Sequence, residues 1–152
     1  YFYLDLYLEK FKKNYLGNNK NIILILQQDD FNLRVLINKD KFLQVLINLV
    51  ENSVSMSESD KKILIKSKKI DDYFLEIKIY DQGRGINYKD KNKIFNRFYT
   101  DRDENSTHHS GLGLSISKEI ISSFNGSLEL TESDNLDFRG ACFLIKLPLS
   151  TS

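Results

Sequence analysis

The feature that most constrains this chain is a run of alternating residues that ends in a charge and two glycines. Leu75, Ile77 and Ile79 alternate with Glu76, Lys78 and Tyr80, the period of a half-buried strand. Asp81 keeps the parity of the apolar residues, so its carboxylate is predicted to point to the core side, where an unpartnered charge is expensive. Gln82-Gly83-Arg84-Gly85-Ile86 follows at once. Glycines there let the main chain turn through unusual dihedrals or approach a ligand closely. A carboxylate at the mouth of a pocket, with space cleared beside it, suits the flat, donor-bearing edge of a nucleobase. The same residues also fit an ordinary Asp-initiated turn after a strand. Asp-x-Gly-x-Gly alone is too short to choose.

At 152 residues, 41% hydrophobic and 28% charged, the chain has the make-up of one globular domain with enough apolar residues for a core. A net charge of +1 argues against nucleic acid or a membrane surface as the defining partner. One cysteine, Cys142, lies in an apolar run and reads as a buried core thiol. With a single cysteine no disulfide framework is possible, and no Cys/His metal cluster is expected. No apolar run is long enough to span a bilayer, and no signal peptide is evident. The start without an initiator Met suggests a fragment or excised domain.

Along the chain, Leu4, Leu8, Phe11 and Tyr15 share one helical face, so residues 1–20 read as an amphipathic lead-in helix or linker that stops at Gly17-Asn18-Asn19. Residues 21–28 and 33–38 are expected as two strands joined by a polar turn around Asp29 and Asp30. Asp40 is the expected N-cap of a helix running to about Met56. Its apolar residues cover most of the wheel, whereas Lys41, Gln44, Asn48, Glu51, Asn52 and Ser55 form one polar stripe roughly 100° wide. A mostly buried helix with a single polar stripe faces a wet cleft. Asn48 and Asn52, spaced i and i+4, sit one above the other on that side, and amide oxygens suit a hard cation such as Mg2+. A merely solvated helix face fits the stripe as well.

Residues 63–69 and 74–80 form an expected hairpin that delivers Asp81. A short helix is expected over Lys89–Phe98, ending in Ile94-Phe95-Asn96-Arg97-Phe98-Tyr99. Two phenylalanines around an arginine fit a docking patch with a phosphate-reaching cation, or core aromatics beside a surface charge. Residues 100–110 are polar and aperiodic, hence a loop; His108 and His109, adjacent within it, are poorly placed to share a metal. Gly111-Leu112-Gly113-Leu114 then opens a helix marked by Ile116, Ile120, Ile121 and Phe124, with Asn125-Gly126 as its stop. A glycine-rich lead into a helix presents N–H groups and the positive dipole end, a natural phosphate cradle, although simple loop-to-helix packing fits too. Strands at 127–131 and 141–147 close the chain, with Pro148 ending the second. The elements predict an α+β fold: a two-layer α/β sandwich with a mixed, mostly antiparallel sheet of five to six strands covered by helices on one face. Irregular alternation and the lack of Gly-Lys-Ser/Thr exclude Rossmann and Walker-type phosphate loops.

Four motifs stand in order, and their order is more specific than any one of them. Asn48-Leu-Val-Glu-Asn52, Asp81-Gln-Gly-Arg-Gly85, Phe95-Asn-Arg-Phe-Tyr99 and Gly111-Leu-Gly-Leu114 resemble the N, G1, F and G2 boxes of sensor histidine kinases. The resemblance covers residues 21–149, with Gly140-Ala-Cys-Phe-Leu-Ile-Lys-Leu-Pro148 at its end. Arg97-Phe-Tyr-Thr-Asp-Arg102, residues 110–117 and Asn52-Ser-Val-Ser-Met-Ser57 further resemble an alphaproteobacterial envelope-sensing branch.

The resemblance implies the ATP-binding catalytic domain of that family over residues 21–152, of the Bergerat type shared with gyrase, Hsp90 and MutL, with ATP and Mg2+ as cofactors. By position, it implies that Asp81 accepts from the adenine amino group, Gly83 and Gly85 let the chain pass the base, and Ile86 packs nearby. It implies that Asn52 holds Mg2+, Asn48 sits beside the phosphates, and Gly111, Leu112, Gly113 and Leu114 supply phosphate donors under a lid ending at Ser110. Ser55 and Tyr99 fall at nucleotide-lining positions, Phe95 and Phe98 would steady the lid or dock the dimerisation helices, and Arg97 would reach either the phosphates or the domain interface. It also implies a homodimeric parent protein anchored in the inner membrane, this domain being cytoplasmic, and a response regulator as partner. The phosphoacceptor histidine would lie on dimerisation helices outside these residues. Ser55 and Met56 depart from the Lys/Arg-Tyr that many relatives carry, which favours a nucleotide-binding pseudokinase or interaction module as the alternative. An ATP hydrolase of the gyrase/MutL kind uses a Glu where this chain has Asn48.

Overall fold

The computed structural model describes residues 1–18, 21–55, 61–99 and 112–150. Strand β1 (Phe2–Tyr3) leads into helix α1 (Leu4–Asn18), followed by β2 (Ile22–Gln28), β3 (Arg34–Val35), α2 (Lys39–Ser55), β4 (Lys61–Lys69) and β5 (Phe74–Asp81). Helix α3 (Gly113–Ser123) and strands β6 (Ser127–Thr131) and β7 (Cys142–Pro148) complete the described order. The main sheet runs β2-β4-β5-β7-β6. Only β2 and β4 are parallel; the other three pairings are antiparallel. The mixed, mostly antiparallel sheet under helices is the architecture expected from the sequence.

Alternation decides which face the helices cover. Leu24, Ile63, Ile65, Leu75, Ile77, Ile79, Leu128, Leu130, Phe143, Ile145 and Leu147 point to one side and join Phe42, Val45, Leu46, Leu49 and Val50 of α2 in the main core. On the other face a smaller cluster forms from Leu64, Tyr80, Phe138 and Cys142. Cys142 is buried there as a free thiol, as its apolar setting predicts, and burial pushes its pKa up. Leu4, Leu8 and Phe11 of α1 are buried in the main core, and Phe2, Tyr7 and Phe42 form an aromatic trio with centroids 4.6 to 5.7 Å apart.

Four local expectations are corrected. The strand expected over 33–38 shrinks to Arg34–Val35 and pairs with Phe2–Tyr3, not with β2. The turn does not return a hairpin: Asp30 accepts from the Lys69 amide at 2.7 Å, and the chain beyond it pairs with β1 instead. The cap of α2 is Asn38, not Asp40: its Oδ1 accepts from the amides of Asp40 (2.9 Å) and Lys41 (3.0 Å). The helix expected over 89–98 is two separate 3-10 turns, Tyr88–Asp90 and Lys93–Phe95. Asn87 caps the first with its side chain, and the chain is extended again at Asn96. Finally, α2 is less enclosed than its wheel suggests, since Leu43 is exposed and Ile47 half-buried. The stop at Asn125-Gly126 holds: Asn125 is left-handed (φ 62°), and the amides of Asn125 and Gly126 donate back to Ser122 and Ile121.

Because the side chain of Asn38 satisfies two helix-start amides, Asn38→Ala is expected to cost about 1 kcal/mol. Asp40→Ala removes only a favourable charge at the positive helix end, worth a few tenths of a kcal/mol at roughly this exposure. Urea unfolding of the two variants beside the unsubstituted chain measures the difference, and equal losses would return the cap to Asp40.

Candidate functional site

Strand β5 carries Asp81 to the point where it meets the start of β7, and the side chain there is fully buried. The parity argument from the sequence therefore holds. The Asp81 amide donates to the Ala141 carbonyl at 3.1 Å, and the Gly140 amide donates to the Asp81 carbonyl at 3.0 Å. Its Oδ1 accepts from the Gly83 amide (2.9 Å) and the Ala141 amide (3.0 Å). Its Oδ2 is closed to solvent and accepts no main-chain hydrogen bond among the described residues. Burial pushes the carboxyl pKa up, opposed by the two amides and by the Ser53 hydroxyl of α2. One oxygen is thus held by two amides, and the other is a buried acceptor with capacity for a further donor.

The main chain can crowd this carboxylate because Gly140 lacks a side chain. A Cβ there would lie 2.0 Å from Asp81 Oδ1 and 2.7 Å from the Gly83 nitrogen. Gly85 turns the following loop in the left-handed region, at φ 77°, and Ile86 packs half-buried on the main core.

Helix α2 joins this carboxylate to the start of α3. Asn48 donates through Nδ2 to the Gly113 carbonyl and to Ser117 Oγ, both at 3.2 Å. Both bonds use the amide nitrogen, so the carbonyl oxygen takes no part in that linkage. Ser53, on the Asp81 side, lies about 7.5 Å further along the helix axis. Asn52 is half-buried between these two points, and its main-chain carbonyl accepts from Ser55 Oγ at 2.8 Å. The oxygens of Asn48 and Asn52 suit a hard cation that completes its shell with water and phosphate. Among the described residues there is no group of three or more His, Cys, Asp or Glu that would hold a metal alone.

At the start of α3, Leu112, Gly113 and Leu114 are half-buried. Leu112 gives that end no side-chain cap and its first turn holds no acidic residue, so its amides and dipole favour an anion. Ser110, Gly111, the loop at 100–110 and both histidines lie outside the described residues. The aromatic pair divides between the two roles the sequence left open. Phe95 is a core residue set edge-on to Phe143 at 6.5 Å, with Lys118 4.4 Å above its ring. Phe98 is 73% exposed on a left-handed backbone (φ 65°), a costly conformation for a bulky residue. Arg97 is paired with Glu119 of α3 at 3.1 Å, both exposed, and Tyr99 packs half-buried on the core. The sequence reading missed Ser53, Ala141 and the steric role of Gly140. Only the Gly140-Ala141 dipeptide before a strand pointed that way. An open groove of about 370 Å³ between Arg84–Tyr88 and Leu130–Gly140 shares Gly85 and Gly140 with the site but not Asp81.

Two substitutions test this geometry. Burial raises the folded-state pKa of Asp81 above its unfolded value, so its charge costs stability once pH exceeds the unfolded carboxylate pKa, and the cost vanishes at acid pH where both states are protonated. Asp81→Asn is therefore expected to be as stable as the unsubstituted chain or more so at pH 7, with the gap closing towards pH 4. Denaturant titrations at both pH values read it; a gap that grows on acidification contradicts it. Gly140→Ala is expected to lose more than about 2 kcal/mol in the same assay.

Comparison with known proteins places this geometry. Residues 37–151 match the family of histidine kinase-, DNA gyrase B- and HSP90-like ATPases. The chain is 37% identical over 113 residues to sensor protein ChvG of Agrobacterium fabrum, an alphaproteobacterium, covering 69% of this chain and 18% of that protein. The catalytic domain of histidine kinase ThkA superposes with a TM-score of 0.79 at 27% identity, over 97% of this chain and 94% of that one. ThkA in complex with response regulator protein TrrA gives 0.79 at 26%, over 98% of this chain and 41% of that one. The chain thus spans about a fifth of the length of the curated relatives it matches. With the boxes in order, the fold shared and the family match running almost from α2 to the end, this chain belongs to the histidine kinase-, DNA gyrase B- and HSP90-like ATPase family, as a homologue of the catalytic domains of sensor histidine kinases.

Proposed function

We propose that this chain binds ATP with Mg2+ and transfers the γ-phosphoryl group to a histidine on a separate dimerisation domain. The observation that carries the reading is the buried Asp81 carboxylate, with Oδ1 held by two amides and Oδ2 left as an acceptor. A buried acceptor of this kind is satisfied by the amino group of adenine, and selects for it, because a base lacking that donor leaves the oxygen unpaired. Gly83, Gly85 and Ile86 form the wall past which the base lies. Asn52 would hold Mg2+, with Asn48 beside the phosphates, and that ion would supply neutralisation of phosphate charge when bound. Leu112, Gly113 and Leu114 would offer their amides at the α3 start to the phosphates; by the family resemblance Ser110 and Gly111, outside the described residues, belong to the same cradle and its lid, and Ser55 and Tyr99 are further nucleotide-lining positions. Phosphoryl transfer asks mainly for positioning and charge neutralisation, which asparagines, amides and a helix dipole provide without a general base at Asn48.

Phe98, exposed at a backbone cost, suits docking on the dimerisation helices, while Phe95 fixes the segment to the core. Arg97, held by Glu119, lies beside that surface as an interface or phosphate-reaching cation. The parent protein would be a homodimer anchored in the inner membrane, this domain on the cytoplasmic side, with a response regulator receiving the phosphoryl group; no described helix is long and apolar enough to cross a membrane. The second reading, an interaction module, draws on Ser55, whose hydroxyl is turned onto its own helix.

Calorimetric titration of ATP-Mg2+ decides between them. The unsubstituted chain is expected to bind, Asp81→Asn to lose binding by about tenfold or more, and Asn52→Ala to weaken only the Mg2+-dependent part. Absence of nucleotide binding by the unsubstituted chain would hand the site to the interaction-module reading.

A further inference from the structure

The loop between β6 and β7 is fastened to the outer face of the sheet, on the opposite side from the helices. Tyr80, next to Asp81 but of opposite parity, is buried on that face and donates its O–H to Asp134 Oδ1 at 2.6 Å. Lys78 Nζ donates to the other Asp134 oxygen at 3.1 Å. Phe138 packs with Tyr80, Leu64 and Cys142, and Gln82 Nε2 donates to the Asp137 carbonyl at 2.9 Å. Within the loop, the Ser133 hydroxyl donates to the Phe138 carbonyl. Burial and the bond to Asp134 push the Tyr80 phenol far above its ordinary pKa, so it remains a neutral donor. Three residues after Phe138 comes Ala141, whose amide is one of the two that hold Asp81 Oδ1.

We propose that Tyr80 and Asp134 are positioning residues for nucleobase selection: by clamping the β6–β7 loop they fix the Ala141 amide, and through it the direction in which the free oxygen of Asp81 points. The inference rests on the adenine-binding reading of Asp81. The strand pairing does not require the clamp, because β7 is already held by β5 from Phe74–Pro148 to Tyr80–Cys142. What the clamp adds is precision at the loop end, and a hydrogen bond loses strength steeply when its angle or length drifts. Asp81 and the tyrosine beside it thus divide the labour across the sheet. One faces the ligand; the other anchors the segment that aims it.

The test compares ATP with inosine triphosphate, which carries a ring carbonyl where adenine has its amino group. Affinities are measured by calorimetry for the unsubstituted chain, Tyr80→Phe, Asp134→Ala, Asp134→Asn and a control, Lys66→Met, whose side chain shares the outer face but pairs with Asp29. The unsubstituted chain is expected to prefer ATP. Tyr80→Phe and Asp134→Ala should each lose about three- to tenfold of that preference, through weaker ATP binding with inosine triphosphate unchanged. Asp134→Asn, which still accepts from the phenol, should retain most of it, and Lys66→Met all of it. An unchanged preference would overturn the inference, whether both affinities fall together, which leaves the clamp a structural brace, or neither falls. An unsubstituted chain that binds both nucleotides equally would instead overturn the Asp81 reading beneath it. Asp134 is exposed enough that its variants keep the inference testable should Tyr80→Phe fail to fold.

Discussion

A buried carboxylate with one oxygen spoken for is the constraint on which this structure depends. Asp81 sits at 0% exposure, and two main-chain amides converging on Oδ1 offset part, not all, of the cost of burying its charge. That convergence brings the end of β5 and the start of β7 together at a spacing only a glycine at position 140 permits. The pairing of β5 with β7 and the left-handed turn at Gly85 bring the main chain to where it seats this one group. The second oxygen remains a cost borne by the fold, as functional groups commonly are.

Helix α2 then ties that group to the rest of the cleft. Its apolar side enters the core through Phe42, Val45, Leu46, Leu49 and Val50, and its polar side faces two ways. Ser53 looks towards Asp81, and Asn48 is bonded to the first turn of α3. The buried carboxylate and the anion-favouring helix start are thereby linked through one rigid helix, which places side chains more accurately than a loop does. The segment carrying Phe95 and Phe98 leans on the same α3, through Lys118 over one ring and Glu119 on Arg97. Motion of α3 would be felt at once by that surface and by Asn48.

Much of the site was legible in the sequence because its signals are local and periodic. Parity along Leu75, Ile77 and Ile79 correctly placed the Asp81 carboxylate on the buried side. Helical spacing put Asn48 and Asn52 in a stripe, and Asn125-Gly126 marked a helix end that is realised. The misreadings came where two local choices were nearly equal. Asn38 and Asp40 both make good caps, and the bonds that chose Asn38 are visible only in three dimensions. The segment 33–38 has strand-forming residues, but its partner is Phe2–Tyr3, far away in the chain, and not the outer edge of β2. The short helix expected over 89–98 is instead two turns, with the chain extended at Asn96.

The sequence by itself determined the fold class, the order of the four boxes and the inward face of the strand that ends in Asp81, because these depend on repeats of two and 3.6 residues and on motifs a few residues long. Only the tertiary structure decided which groups complete the Asp81 site. The Ala141 amide is sixty positions away in the chain, and the Tyr80–Asp134 bond spans fifty-four. Such pairings depend on strand register and loop path, which a one-dimensional pattern does not encode. The two aromatics around Arg97 are alike in sequence, yet Phe95 is sunk against Phe143 and Phe98 is turned outward by a single left-handed residue. That difference is set by packing, and only the folded chain contains it.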